Sequence, residues 1–312
     1  MLVALAGGVG AARLLAGLVD VVDPASVTAV INTADDLVLH GLSISPDIDT
    51  VTYTLAGLDD PHQGWGLAGE SWTVMGALEE LGGPSWFRLG DRDLATHLFR
   101  SGRLAQGATL SEVTAELARR RGLRVGLLPM SDDPVRTLVT VDAPGGTTEE
   151  ISFQDYFVRL HHSVEVRSLR FGGAEAAQPA PGVLDALADA ELIIGCPSNP
   201  LVSIGPLLAV PGIEELLTKR RDDIVAVSPI VGGAALKGPA DRLLRELGHE
   251  SSALGVARLY APWVGTLVID DKDVALAPAI ERLGVRCVVT DTVMANRARA
   301  AALAEVVRSA VR

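Results

Sequence analysis

Short aliphatic and β-branched runs recur along this chain, most of them closed by a Gly- or Pro-rich turn and followed by a stretch whose apolar residues return every three or four positions. The runs cover residues 2–6, 27–31, 192–195, 224–228, 267–269 and 285–289. Helical spacing covers 11–22, 50–57, 73–81, 93–100, 111–120, 240–247 and 296–311, with Ser111 the expected N-cap of its helix. Strand, turn and helix in repetition call for parallel strands, since each helix carries the chain back over the sheet before the next strand starts.

Residues 129–190 break the pattern. Runs at 136–141, 149–152 and 164–169 flank Ala143-Pro144-Gly145-Gly146 and read as antiparallel strands. The expected architecture is α/β: a Rossmann-like, doubly wound, mostly parallel sheet from 1–128 and 191–312, with 129–190 as a smaller inserted α+β domain. A chain of 312 residues, 48% of them hydrophobic, can fill such a core.

A formal net charge of -12 excludes a surface built to neutralise a nucleic-acid backbone, although a small phosphorylated ligand needs only local positive charge. No run of about 18 uncharged apolar residues argues for a membrane span. The apolar start lacks a basic leader and is interrupted by Gly7-Gly8-Val9-Gly10 and Arg13, so it reads as strand, turn and helix; the cytoplasm is the expected location. Cys196 and Cys287 have no disulfide or metal-site spacing and are expected to be buried small hydrophobes.

Gly7-Gly8-Val9-Gly10-Ala11-Ala12-Arg13 opens the first helix, where Gly8 and Gly10 would bring backbone closest to a phosphate; a tight turn without a ligand is the plainer alternative. Arg13 stands where GxGxxG has its third Gly, which disfavours a nicotinamide oxidoreductase, and no Lys-Ser or Lys-Thr makes a Walker loop. Asn32-Thr33-Ala34-Asp35-Asp36 lies at the carboxyl end of the second strand, where Asp35 and Asp36 either cap a turn or hold a ligand or cation.

In the run from His40 to Thr50, Asp47 suits a helix N-cap and His40 a satisfied structural histidine, while Asp49 is the acid assigned to the site as an oxygen ligand for Mg²⁺. Arg88, in the aromatic and cationic turn from Trp86 to His97, either clamps a phosphate, stacks on a flat ring or pairs with Asp91 or Asp93; Asp93 and Thr96 suit capping and packing. Two later Gly- and Pro-rich loops, 196–206 with Ser198 and Asn199 and 228–241 with Lys237, also leave apolar strands. Three such loops after three strands point to a nucleotide.

Taken together, Asn32 to Asp36, His40 to Thr50, Phe87 to Asp93, Ser198-Asn199-Pro200 and Lys237 to Asp241 resemble the 2-phospho-L-lactate transferase family of coenzyme F420 biosynthesis. The resemblance implies a transferase that moves a phosphoenolpyruvyl or 2-phospho-L-lactyl group from a guanosine-diphospho donor to the ribityl hydroxyl of the deazaflavin Fo, releasing GMP. It implies Asp49 and Arg88 at Fo, and Gly8, Gly10, Ser198, Asn199 and Lys237 near the guanosine diphosphate. Asp49, with Asp36, would then serve as the catalytic acids and hold Mg²⁺. A homodimer is the expected assembly. The competing expectation is a non-catalytic regulatory protein that binds a sugar nucleotide.

Overall fold

The computed structural model describes residues 1–60, 64–143 and 145–311. The first half of the chain runs β1 (Leu2–Ala6), α1 (Gly8–Val21), β2 (Val27–Ile31), β3 (Leu37–Leu39), β4 (Leu42–Ile44), α2 (Pro46–Leu55), α3 (Thr73–Glu80), α4 (Asp91–Ala105), α5 (Leu110–Arg120) and β5 (Gly126–Pro129). The next segment holds β6 (Arg136–Ala143), β7 (Thr147–Ser152), β8 (Val166–Gly172) and α6 (Val183–Asp189). The remainder runs β9 (Leu192–Gly195), α7 (Gly205–Ala209), α8 (Ile213–Lys219), β10 (Ile224–Val227), β11 (Ile230–Val231), β12 (Ala234–Ala235), α9 (Ala240–Glu246), α10 (Ala253–Tyr260), β13 (Thr266–Ile269), α11 (Ala277–Glu281), β14 (Arg286–Val289) and α12 (Arg297–Ser309).

Seven strands form the central sheet in the order β14-β13-β10-β9-β1-β2-β5, every pair parallel. The chain winds outward from β1 through β2 to β5, then returns to place β9 on the other side of β1. The switch point therefore lies between β1 and β9, and the carboxyl ends of those strands frame the crevice where doubly wound sheets take ligands. Strand β1 is buried on both faces: Val3 and Leu5 enter one apolar core, Leu2, Ala4 and Ala6 the other. Gly17 lets α1 lie against α12, since a Cβ there would run into the Ala300 backbone.

The antiparallel part is a three-stranded sheet, β7-β6-β8. Its Val139, Val141, Phe153, Tyr156 and Val166 share one apolar cluster with Val202 and Leu243, which tethers it to the main layers. The ends of 129–190 belong to those layers: Pro129 closes β5, and Val183, Ala186 and Leu187 of α6 enter the large core. Pro144, placed in a turn from sequence, lies outside the described residues.

Four local expectations are corrected. Helix α2 starts at Pro46 after Ser45, so Asp47 and Asp49 sit in its first turn and Asp47 is not the N-cap. Thr109, not Ser111, caps α5, through a reciprocal capping box with Glu112. His40 is exposed, and with Gly41 forms the two-residue turn of the β3–β4 hairpin, both at positive φ (54° and 76°). Cys196 is buried, but Cys287 only half-buried. Among the described residues no single helix is long and apolar enough to cross a membrane.

Candidate active site

At the carboxyl end of β1 the glycine turn is clamped to the loop after β9. The Gly7 amide donates to Ser198 Oγ at 3.2 Å, and that hydroxyl donates to the Gly7 carbonyl at 2.8 Å. Gly10 permits the approach, because a Cβ there would collide with the Pro197 carbonyl. Gly8 takes φ +71° and its amide serves the Asp47 carboxylate, so the anion at the start of α1 is the protein's own. Ser198 and Gly10 thus build the turn that sequence reading assigned to a nucleotide. Asn199 is also engaged locally: its side chain accepts from the Leu201 and Val202 amides at 2.9 and 3.3 Å.

Lys237, assigned to a phosphate from sequence, reaches this turn together with Arg13. A Cβ on Gly64 would meet Lys237 Nζ, Val9 Cγ1 and, at 3.9 Å, Arg13 Nη2. Partial burial, then the Arg13 charge, pulls the Lys237 ammonium below its ordinary pKa. Two cationic heads thus lie close together beside the glycine turn. Sequence reading took Arg13 only as a departure from GxGxxG.

Behind the turn the carboxyl end of β2 gathers acids. The Asn32 amide nitrogen donates to Asp47 Oδ2 at 2.9 Å and to Asp35 Oδ2 at 3.2 Å, linking two buried carboxyls. Burial, then the Asp47 charge, raises the Asp35 pKa well above the carboxylate range. Burial pushes Asp47 up to about 6 against the hydrogen bonds from Asn32 and Gly8. Asp36 accepts from Ser45 Oγ at 2.6 Å, and burial raises it to about 7. The Oδ1 atoms of Asp35 and Asp36 are buried without a hydrogen-bond partner among the described residues.

Asp49 points the other way, into the contact between α2 and α4. Arg100 donates Nη1 to Asp49 Oδ2 at 3.1 Å and Nη2 to Asp49 Oδ1, and the guanidinium is 0% exposed. His97 completes the line, with Nδ1 3.7 Å from Asp49 Oδ2 and Nε2 3.1 Å from Asp93 Oδ2. The Tyr53 hydroxyl donates to Asp93 Oδ1 at 2.6 Å. Burial works against the Asp93 charge, but the His97 hydrogen bond leads the interactions that hold its carboxyl below the ordinary range. Arg100, His97 and Asp93 were not assigned to the site from sequence.

Asp49, Asp93 and His97 each bring one ligand atom within 4.8 Å of the others, a spacing a metal ion accepts. The donor set nonetheless fits a cation poorly, since both Asp49 oxygens already serve the Arg100 guanidinium and His97 faces it at 3.3 Å. The orphaned oxygens of Asp35 and Asp36, with Asp47 beside Asp35, suit a hard cation better.

Arg88 is exposed and stacks its guanidinium over Trp72, 4.4 Å from the ring centroid. A cavity of about 410 Å³ opens beside Asp36, walled by Ser45, Arg100, Leu104, Leu110 and Arg136. Glycine turn, acid cluster, buried ion-pair line and cavity follow one another along the carboxyl edge of the sheet.

An all-parallel, doubly wound α/β sheet with a clamped glycine turn and an acid cluster at its switch point defines the architectural class. A solved UPF0052-family protein from Bacillus halodurans shares the fold, with a TM-score of 0.63 over 99% of this chain and 98% of that one at 16% identity. The family model described as 2-phospho-L-lactate transferase CofD matches residues 2–306. The chain belongs to this transferase family. Relatives include a phosphoenolpyruvate transferase of Kitasatospora aureofaciens, 46% identical over 98% of each chain, and one of Streptomyces griseus, 46% identical over 97% of this chain and 96% of that one. A 2-phospho-L-lactate transferase of Methanosarcina mazei is 39% identical over 98% of this chain and 99% of that one.

Proposed function

We infer that the protein transfers a phosphoenolpyruvyl or 2-phospho-L-lactyl group from a guanosine-diphospho donor to the ribityl hydroxyl of Fo, releasing GMP. The observation that carries this reading is the convergence of glycine turn, cations and acids at the switch point of a chain that matches the family along nearly its whole length. The higher identity to phosphoenolpyruvate transferases, 46% against 39%, favours the enolpyruvyl donor.

In the proposed reaction the Fo alcohol attacks the phosphorus that bears the three-carbon acid. The new P–O bond forms as the bond to the GMP phosphate breaks, and GMP departs with that electron pair. Asp36, on the wall of the cavity, is placed to take the alcohol proton. Arg13 and Lys237, side by side at the glycine turn, are placed to meet the donor's phosphates. Asp49, held by Arg100 on both oxygens, is the carboxylate that the family resemblance places at the alcohol. Arg88 on Trp72 offers a flat cationic platform for the deazaflavin. Asp35 and Asp47 would hold Mg²⁺, which would neutralise diphosphate charge.

The test incubates the purified protein with Fo, Mg²⁺ and each donor separately, following GMP and the Fo adduct by mass-resolved chromatography. Adduct and GMP in equal amounts with one donor are expected. Nucleotide binding without product from either donor would return the protein to the non-catalytic, regulatory reading.

A further inference from the structure

Two helices that meet in a protein interior ordinarily meet through apolar side chains, yet α2 and α4 meet through charges. Asp93, His97 and Arg100 follow at four- and three-residue spacing on α4, and face Asp49 and Tyr53, four apart on α2. Apolar residues of similar volume would hold the helices together at least as well, because every buried charge must first lose its water. The arrangement is explained by what it does to one side chain. Arg100 engages both Asp49 oxygens, and Nη1 also donates to the Ser43 carbonyl at 3.3 Å, so the guanidinium is braced against β4 as well as α2. A fork bonded to both oxygens fixes the plane of a carboxylate, which a lysine ammonium does not. The same guanidinium borders the cavity beside Asp36 and Ser45.

We propose that Arg100 is a positioning residue for Asp49: it sets the plane of the carboxylate that meets the acceptor alcohol, and supplies from within the protein the positive charge that a metal ion would otherwise bring there. This rests on the transfer reaction proposed above. Two consequences follow. The orienting effect of Arg100 runs through Asp49, beside a direct charge effect on Asp36 across the cavity wall, and the Mg²⁺ requirement of the reaction does not run through this pair.

The test compares Arg100→Lys, Asp49→Asn and the double variant D49N/R100M with the wild type, using Fo, the active donor and Mg²⁺, with thermal melts to establish that each is folded. In Arg100→Lys, kcat should fall about 10- to 100-fold, the cost of a misplaced reacting group, while KM for the donor and the half-saturating Mg²⁺ concentration stay within about twofold. The double variant removes both charges, so it leaves no unpaired ion to unfold the helix contact. Its kcat should lie within about tenfold of that of Asp49→Asn, because the plane of the carboxylate is no longer there to misplace and only the charge Arg100 lends Asp36 is lost.

An Arg100→Lys enzyme with wild-type kcat, or a double variant much slower than Asp49→Asn, would overturn the positioning role. If Arg100→Lys does not fold, the double variant decides alone. A wild type that turns over neither donor overturns the transfer reaction and this role together, whereas wild-type turnover with unaffected variants overturns the role only.

Discussion

At position 10 there is no room for a side chain. Ala at Gly10 would drive its methyl into the Pro197 carbonyl and push the Ser198 loop from the glycine turn. Gly10→Ala should therefore lower stability by about 1–3 kcal/mol, as overpacking does, and weaken binding of a guanine nucleotide; denaturant titration and calorimetry would check the two effects. The glycine turn was legible because small residues between a strand and a helix have few other uses. Which glycine does what was not, since the partners of Gly8 and Gly10, Asp47 and Pro197, come from distant segments. Arg100 was hidden for a similar reason. In sequence it is one more cation on a polar helix, and only the approach of Asp49, 51 positions earlier, makes it a buried ion.

Elements were legible in proportion to their length. The helices α1, α4, α5 and α12 stood out because each repeats its period several times, whereas among the helices of seven or eight residues α3 and α9 were read and α6, α8 and α10 were not. Strand β5 carries Gly126 and Pro129, residues that argue against a central strand but are tolerated at the sheet edge it occupies. The α5 cap was misplaced by two residues because Ser111 looked equally suitable; its hydroxyl instead serves Asp132 at 2.8 Å. Thr109→Ala removes half of the capping box and should cost about 1 kcal/mol in a denaturant melt, against a smaller loss for an exposed threonine elsewhere.

For the whole molecule, the acid cluster links stability to pH and to cations. Asp36 and Asp47 titrate near 7 and 6 in the folded protein against an ordinary value of 3.8, so the native state binds protons more tightly than the unfolded chain. Their contribution to stability is fully present below the ordinary value and is lost as pH rises through 6 and 7. Without divalent cation, Tm should fall between pH 5.5 and 8, Asp36→Asn should flatten that fall, and Mg²⁺ should raise Tm at pH 8 but hardly at pH 5.5. Calorimetric scans across the pH series would check all three. A wild-type Tm that rises over the interval would remove the burial of these acids as a source of pH-dependent instability.

The bond between Gly7 and Ser198 joins positions 191 apart. As the chain leaves the ribosome, the turn emerges early, but the hydroxyl that clamps it is made only after β5 and the antiparallel sheet. Closing so large a loop delays the contact, so the turn gains its final shape only when β9 docks beside β1. A ligand that binds at that turn would thus report completed folding, and would hold the two halves of the winding together.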